Sequence, residues 1–202
     1  MTTSTWDHSQ LRAEFSQCST FGEVLLQLEK NFSQRGQVVC EVRVNGAPLN
    51  DEEELLLSKS PLGEIQDLMV LTNEPANLIG RALDSALQFI PGLSKICLES
   101  ADEFRGSDLV RTRQAFTEVL DGCSWLIETL KHVRGACSGI GKPILSVDRW
   151  YEAEKTINLV VRNLGVSYSS QDFVVVADLL EYEMTTALDI WTEALLIERA
   201  RW

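Results

Sequence analysis

Few side chains in this sequence could carry reactive chemistry, and their spacing limits what they could do. There are two histidines, His8 and His132, and five cysteines, Cys18, Cys40, Cys97, Cys123 and Cys137. A zinc site draws on closely spaced Cys or His pairs, and no C-x-x-C occurs here. An odd number of scattered thiols reads as free cysteines in a reducing compartment. Nucleophilic catalysis needs a Ser or Cys beside a base that a third group orients. Cys123 falls on an apolar helix face while His132 points elsewhere. Glu128 and His132 stand four residues apart on one face, with Asp121 nearby. That trio is the nucleus of the alternative reading, a metal-dependent or acidic-cleft enzyme built on helix carboxylates. A di-metal centre of the ferritin kind would need two Glu-x-x-His pairs, and the sequence has none.

Gly139-Ile140-Gly141-Lys142 invites comparison with a phosphate-binding loop. The pattern places a glycine five residues before Gly141, and Ala136 stands there instead. Pro143 occupies the position of the magnesium-binding Ser or Thr, and a helix rather than a strand precedes the segment. The expectation is therefore no catalytic residue, no metal ligand set and no cofactor.

Residues suited to recognition are easier to find. Trp125 lies about 160° from Leu109 on a helical wheel and sits among Gln114, Glu118, Asp121 and His132. A large aromatic on a charged face reads as a contact surface for another protein, or as a side chain packed beneath a loop or the small domain. Tyr182 and Asp178 point toward a polar arc and complete the candidate partner-binding set.

The elements that must position these residues follow from periodicity. Phe173, Val176, Leu180, Met184, Ala187, Trp191 and Ala194 recur every three or four residues, which makes one helical stripe. Ile79, Ala82, Leu83, Ala86, Ile90, Leu93, Cys97, Ala101 and Phe104 form another, interrupted by Pro91-Gly92, where a kink or two collinear helices is expected. Leu109, Phe116, Val119, Leu120, Cys123, Ile127 and Leu130 make a third, ending at Gly135 after a Gly106-Ser107-Asp108 cap. Trp150, Ala153, Ile157, Val160, Val161 and Leu164 make a fourth, stopped by Gly165, with Ser169-Ser170 starting the last helix. Upstream, Thr20 and Glu23 fit a capping box ahead of Phe21, Val24, Leu25, Leu28 and Phe32. Val38, Cys40, Val42 and Val44 alternate with Val39, Glu41 and Arg43 as a half-buried strand that closes on the Asn45-Gly46 turn. A short return strand at 47–49, a brief helix at 51–59 and a second principal strand at 65–72 follow.

The fold class read from this pattern is α+β. Residues 1–18 are a loose N-terminal arm with room for a short helix, residues 19–73 a small helix-on-sheet unit, and residues 74–202 an antiparallel four-helix bundle with a kinked first helix. The layout of 19–73 is similar to part of a ubiquitin-like β-grasp.

The chain is acidic, with a net charge of −12 over 202 residues, about half of it in residues 1–73. Such a surface repels phosphate backbones and anionic lipids, so neither nucleic acid nor membrane is the expected partner. No apolar run reaches the ~20 residues of a spanning helix, and residues 1–10 lack the features of a secretory signal. The expected location is the cytoplasm.

The run Leu78 to Phe89, L-I-G-R-A-L-D-S-A-L-Q-F, resembles the first long helix of flagellin-type export chaperones. Leu179 to Leu195, L-L-E-Y-E-M-T-T-A-L-D-I-W-T-E-A-L, is similar to their last helix. The likeness covers about residues 74–200 and departs at the extra unit of 19–73 and at Pro91-Gly92. It implies a bacterial, non-catalytic adaptor or chaperone-like protein that binds an amphipathic or disordered segment of a partner along apolar grooves, while the acidic surface favours a basic one. A subunit that self-associates as a homo-oligomer through Trp125 is the third reading.

Overall fold

The computed structural model describes residues 1–106 and 108–202, with Leu109 described by its backbone. The expected cap at Ser107 and the expected burial of the Leu109 side chain lie outside the described residues. The chain divides into two compact units, Met1–Leu78 and Ile79–Trp202. Its class is α+β: a four-stranded antiparallel sheet, then mostly helices.

In the first unit the sheet order is β1-β4-β2-β3, with β1 Thr2–Asp7, β2 Val38–Val44, β3 Ala47–Pro48 and β4 Asp67–Asn73. The segment expected to be a loose arm is instead ordered. Thr2 to Asp7 pair with Thr72 to Asp67, and α1 (His8–Glu14) follows at once. Asp7 caps α1 in a reciprocal box with Gln10, and Leu11 and Phe15 sink into the core. One apolar anchor per turn suffices, which is why no long stripe announces the helix. The Thr20–Glu23 box opens α2 (Phe21–Gln34), whose Phe21, Val24, Leu25, Leu28 and Phe32 are buried, in agreement with the spacing.

Strand β2 corrects the expected alternation. Its pairing to β4 slips between Val39 and Glu41, leaving Cys40 as an extra residue. A bulge of one residue reverses which side chains face inward. Val39 therefore joins Val42 and Val44 against the core, while Val38 and Cys40 are exposed. Asn45 and Gly46 take φ of 52° and 80°, the backbone a two-residue hairpin turn requires. The short α3 (Asp51–Leu57) and a single 3-10 turn lead to β4.

The second unit is built from α4 (Pro75–Arg105, beginning in the first unit), α5 (Leu109–Gly139), α6 (Val147–Ser169), α7 (Phe173–Asp178) and α8 (Thr185–Arg199). All contribute to one apolar cluster. Two expected stops are overrun. Helix α5 continues past Gly135 to Gly139, and α6 past Gly165 to Ser169. A glycine costs a helix only about 1 kcal/mol, less than ending it with unpaired carbonyls. The true ends are built by wrapped hydrogen bonds. Gly141 (φ 70°) donates to the Ser138 carbonyl and Lys142 to that of Cys137, at 3.0 and 2.9 Å. Asp172, not Ser169-Ser170, caps α7, its carboxylate accepting from the Val175 N–H at 3.2 Å.

Helix α4 is continuous through Pro91. Leu179–Met184 joins α7 to α8 as a π-helical segment, a widened turn that periodicity did not signal. The stripe survives it: Val176, Leu180, Met184, Ala187, Trp191 and Ala194 are buried, and Phe173 partly so.

Candidate partner-binding site

The α4–α5 seam begins with a missing side chain. A Cβ at Gly122 would stand 2.6 Å from Leu93 Cδ1 and 3.6 Å from Phe89 Cζ. Glycine there lets the two helices close on Leu93 and leaves Phe89 beside the seam. One turn along α5, Trp125 lies against Phe89 with ring centroids 4.3 Å apart and planes at 52°. Trp125 still keeps 41% of its surface exposed. The expected contact surface is thus partly a packed aromatic pair, although its partner is a helix rather than a loop.

Two and three turns before Trp125, about 10 and 16 Å along α5, Glu118 and Gln114 continue the same face. There a groove of roughly 280 Å³ opens between α4 and α5. Ile96 and Ala115 supply its apolar surface, while Glu99, Glu103 and Glu118 make its edges acidic. Arg111 is the one basic residue in that lining and approaches Glu103 at 3.8 Å. Lys95 reaches Glu99 at 3.5 Å, and Gln114 donates to Glu118 at 3.0 Å. These contacts are exposed, so each holds its side chains only weakly.

Asp178 and Tyr182 belong to a different surface. Asp178 accepts from Arg105 Nη2 at 3.2 Å, and Glu181 accepts from the same nitrogen. The Arg105 guanidinium, and then the Tyr182 phenol, hold the Glu181 carboxyl below the usual carboxylate range. The Glu181 carboxylate in turn pushes the Tyr182 phenol up. Tyr182 is 60% exposed. Arg105 lies sixteen residues beyond Phe89 on α4, about 24 Å along a helix. The candidate set therefore splits, with Trp125 at one place and Asp178 with Tyr182 at another.

The groups considered for an enzyme lie on the surface of α5. Asp121, Glu128 and His132 are all exposed on α5. Among the described residues no three His, Cys, Asp or Glu side chains are grouped as metal ligands. Gly139 to Lys142 form the carboxyl end of α5, whose partial negative charge disfavours anions. All five cysteines are free. Burial pushes the Cys97 and Cys123 thiols up to about 12, and the proximity of Cys123 adds to the shift of Cys97.

Sequence reasoning missed three features of this unit. Phe89 lies off the Ala86–Ile90–Leu93 stripe, a displacement that could have flagged it. Gly122 carried no periodic signal. The third is Glu198 on α8, 1% exposed. Its carboxylate accepts from the Leu145 N–H at 2.8 Å, the Trp202 indole N–H at 3.0 Å and Arg201 at 3.4 Å. Lys142 and Arg201 lie 5.1 and 5.3 Å from the Trp202 ring centroid, so the C-terminal Trp202 ties this end of the unit together.

Residues 81–194 match the model of a family described as a domain of unknown function (DUF8042), which is more than half of the chain. No curated protein and no solved structure matches it.

Proposed function

Taking as premise that the chain belongs to the DUF8042 family, we propose that it is a non-enzymatic protein-binding factor, adaptor or chaperone-like, acting in the bacterial cytoplasm. The helical unit is read as an antiparallel four-helix bundle. In support, α4, α5, α6 and the α7–α8 rod share one core. Connections as short as residues 140–146 and 170–172 also suit helices that reverse direction. Among the described residues no helix is long and apolar enough to cross a membrane.

The observation that carries the reading is the partly exposed Phe89–Trp125 pair, about 10 Å along the α4–α5 seam from the acidic-edged groove. A partner helix laid into that groove would set an apolar side chain against the aromatic pair. Its basic residues would meet Glu99, Glu103 and Glu118, whose field speeds encounter and fixes register. The likeness to flagellin-type export chaperones belongs to this proposal and supplies its partner class, an amphipathic or disordered protein segment. Asp178 and Tyr182 form a secondary contact surface.

The test is capture from native lysate with wild type and with Trp125→Ala, followed by affinity measurement on the recovered partner. A central aromatic anchor contributes about 2 kcal/mol or more, so binding to Trp125→Ala is expected to weaken about thirtyfold while its circular dichroism is unchanged. Equal affinity of the two proteins would remove the groove from the mechanism. Light scattering separates the self-associating alternative, in which Trp125→Ala would lower the mass.

A further inference from the structure

The first unit carries an opening of its own between α2, α3 and β2, with a volume of roughly 220 Å³. Helix α3 makes one wall, although none of its residues is buried and only Leu57 packs partly on the core. What holds this helix is its carboxyl end. The Gly22 N–H donates to the Ser58 carbonyl at 2.9 Å, and the Phe21 N–H to that of Ser60 at 3.0 Å. Those carbonyls satisfy N–H groups that the start of α2 would otherwise leave unpaired. The approach needs a glycine, because a Cβ at Gly22 would stand 2.8 Å from the Ser58 oxygen. So α3 is pinned in place while Leu55 and Leu56 stay 70% and 75% exposed. Leu26, one turn beyond Gly22 on α2, is 68% exposed.

The reachable floor of the opening is apolar. Val39, Val42 and Leu49 line it and are each partly exposed, whereas Leu25, Leu28 and Val70 are buried. The bulge in β2 leaves Cys40 exposed in the same lining. The rim is Glu29, Glu41, Asp51 and Glu54, and no Lys or Arg lines the opening. Arg43 pairs with Glu41 at 2.5 Å. Glu29, Asp51 and Glu54 make no ion pair among the described residues. An apolar floor inside unpaired carboxylates, beside leucines that the fold leaves in water, selects an occupant both cationic and apolar.

We infer that this opening docks a basic, apolar segment of a partner protein. One apolar side chain enters against Val39, Val42 and Leu49, and flanking Lys or Arg side chains meet Glu29, Asp51 and Glu54. Leu26 and Leu55 widen the apolar contact. The surface shares no residue with the α4–α5 groove, so either reading can fail without the other.

Cys40 supplies the readout, as the one exposed thiol among the described residues. Its alkylation by iodoacetamide in the full-length protein is followed by mass spectrometry. The probe is a short amphipathic peptide of leucine and lysine. Saturating peptide is expected to slow the reaction about tenfold by covering the thiol. Glu29→Gln combined with Glu54→Gln changes two exposed side chains, so circular dichroism should be unchanged. Half-protection of that variant should need about tenfold more peptide. A control peptide with serine in place of leucine keeps the charge and should protect far less, while Trp125→Ala should be protected like wild type. Unprotected Cys40 in wild type overturns the proposal, as does equal protection by the serine peptide. So does protection undiminished in the glutamine variant or lost in Trp125→Ala. A Cys40 rate that falls with rising protein concentration and no peptide also overturns it, since a second copy would then be the occupant.

Discussion

Two neighbouring regions of α8 bury a polar side chain in opposite ways. Glu198 is enclosed and meets three donors, one of them the backbone of Leu145, fifty-three residues earlier. Trp191, seven residues before it on the same side of the helix, is equally enclosed and meets none. Each left water at a desolvation cost, the larger one for the carboxylate, but only the carboxylate was compensated. The difference teaches that the C-terminal end of the helical unit is a finished structural joint, whereas the middle is held by apolar packing with a donor in reserve.

The largest effect should come from breaking the joint. Glu198→Ala removes the shared acceptor of the Leu145 and Trp202 N–H groups and leaves a gap where a fully buried side chain stood, a loss expected at about 3 kcal/mol. Urea unfolding followed by far-ultraviolet circular dichroism measures it. A change within half a kcal/mol would mean that the joint opens to solvent freely.

A sharper contrast uses two rings that touch. Trp150 and Trp191 pack edge to face at 4.9 Å, but only the Trp150 indole is bonded, to Glu154. Trp150→Phe should cost about 2 kcal/mol, combining lost ring volume with an orphaned carboxylate oxygen. Trp191→Phe loses similar volume but discards an unmet donor, so about 1 kcal/mol or less is expected. Equal losses in the two variants would show that the Trp191 N–H is satisfied in solution.

The smallest effect concerns Arg199, beside Glu198 but partly exposed. It grips Asp84 of α4 with two hydrogen bonds of 2.5 and 3.0 Å. The Arg199 hydrogen bond holds the Asp84 carboxyl below its ordinary value. A carboxyl lowered by folding adds stability that is complete above its unfolded value and is lost as pH falls through the folded one. Wild type should therefore exceed Asp84→Asn slightly at neutral pH, with the gap closing in acid. Parallel urea titrations across pH would show it, and a gap that widened in acid would contradict the assignment.

How much of this was legible depends on the range over which each feature is decided. The Thr20 cap, the Asn45-Gly46 turn and the Phe173–Ala194 stripe are settled within a few residues, and the structure agrees with them. Glu198 could not be read, because its partner N–H at Leu145 is remote and its neighbours on α8 give a plain amphipathic pattern. The Cys40 bulge was hidden because alternation alone cannot reveal where a strand gains a residue. The first eighteen residues were misjudged for their polarity. Yet Thr2, Thr3 and Thr5 are β-branched, and Asp7 with Gln10 is a capping pair, so the local signals were present and underweighted. Of the candidate site, Trp125 was found by its misfit to the stripe. Its separation from Asp178 and Tyr182 depends on which point of α4 each region contacts, which no spacing within α5 or α7 encodes.

The pairing of β1 with β4 has a practical corollary. Trimming the first fifteen residues, a natural choice for anyone who took them for a dangling leader, would strip the outer ribbon and bare the backbone of Asp67–Asn73 along its whole length. It would also pull Leu11 and Phe15 from beneath the sheet. A shortened version of this protein should therefore be sticky and prone to fibrils, its newly uncovered rim ready to zip onto any passing strand.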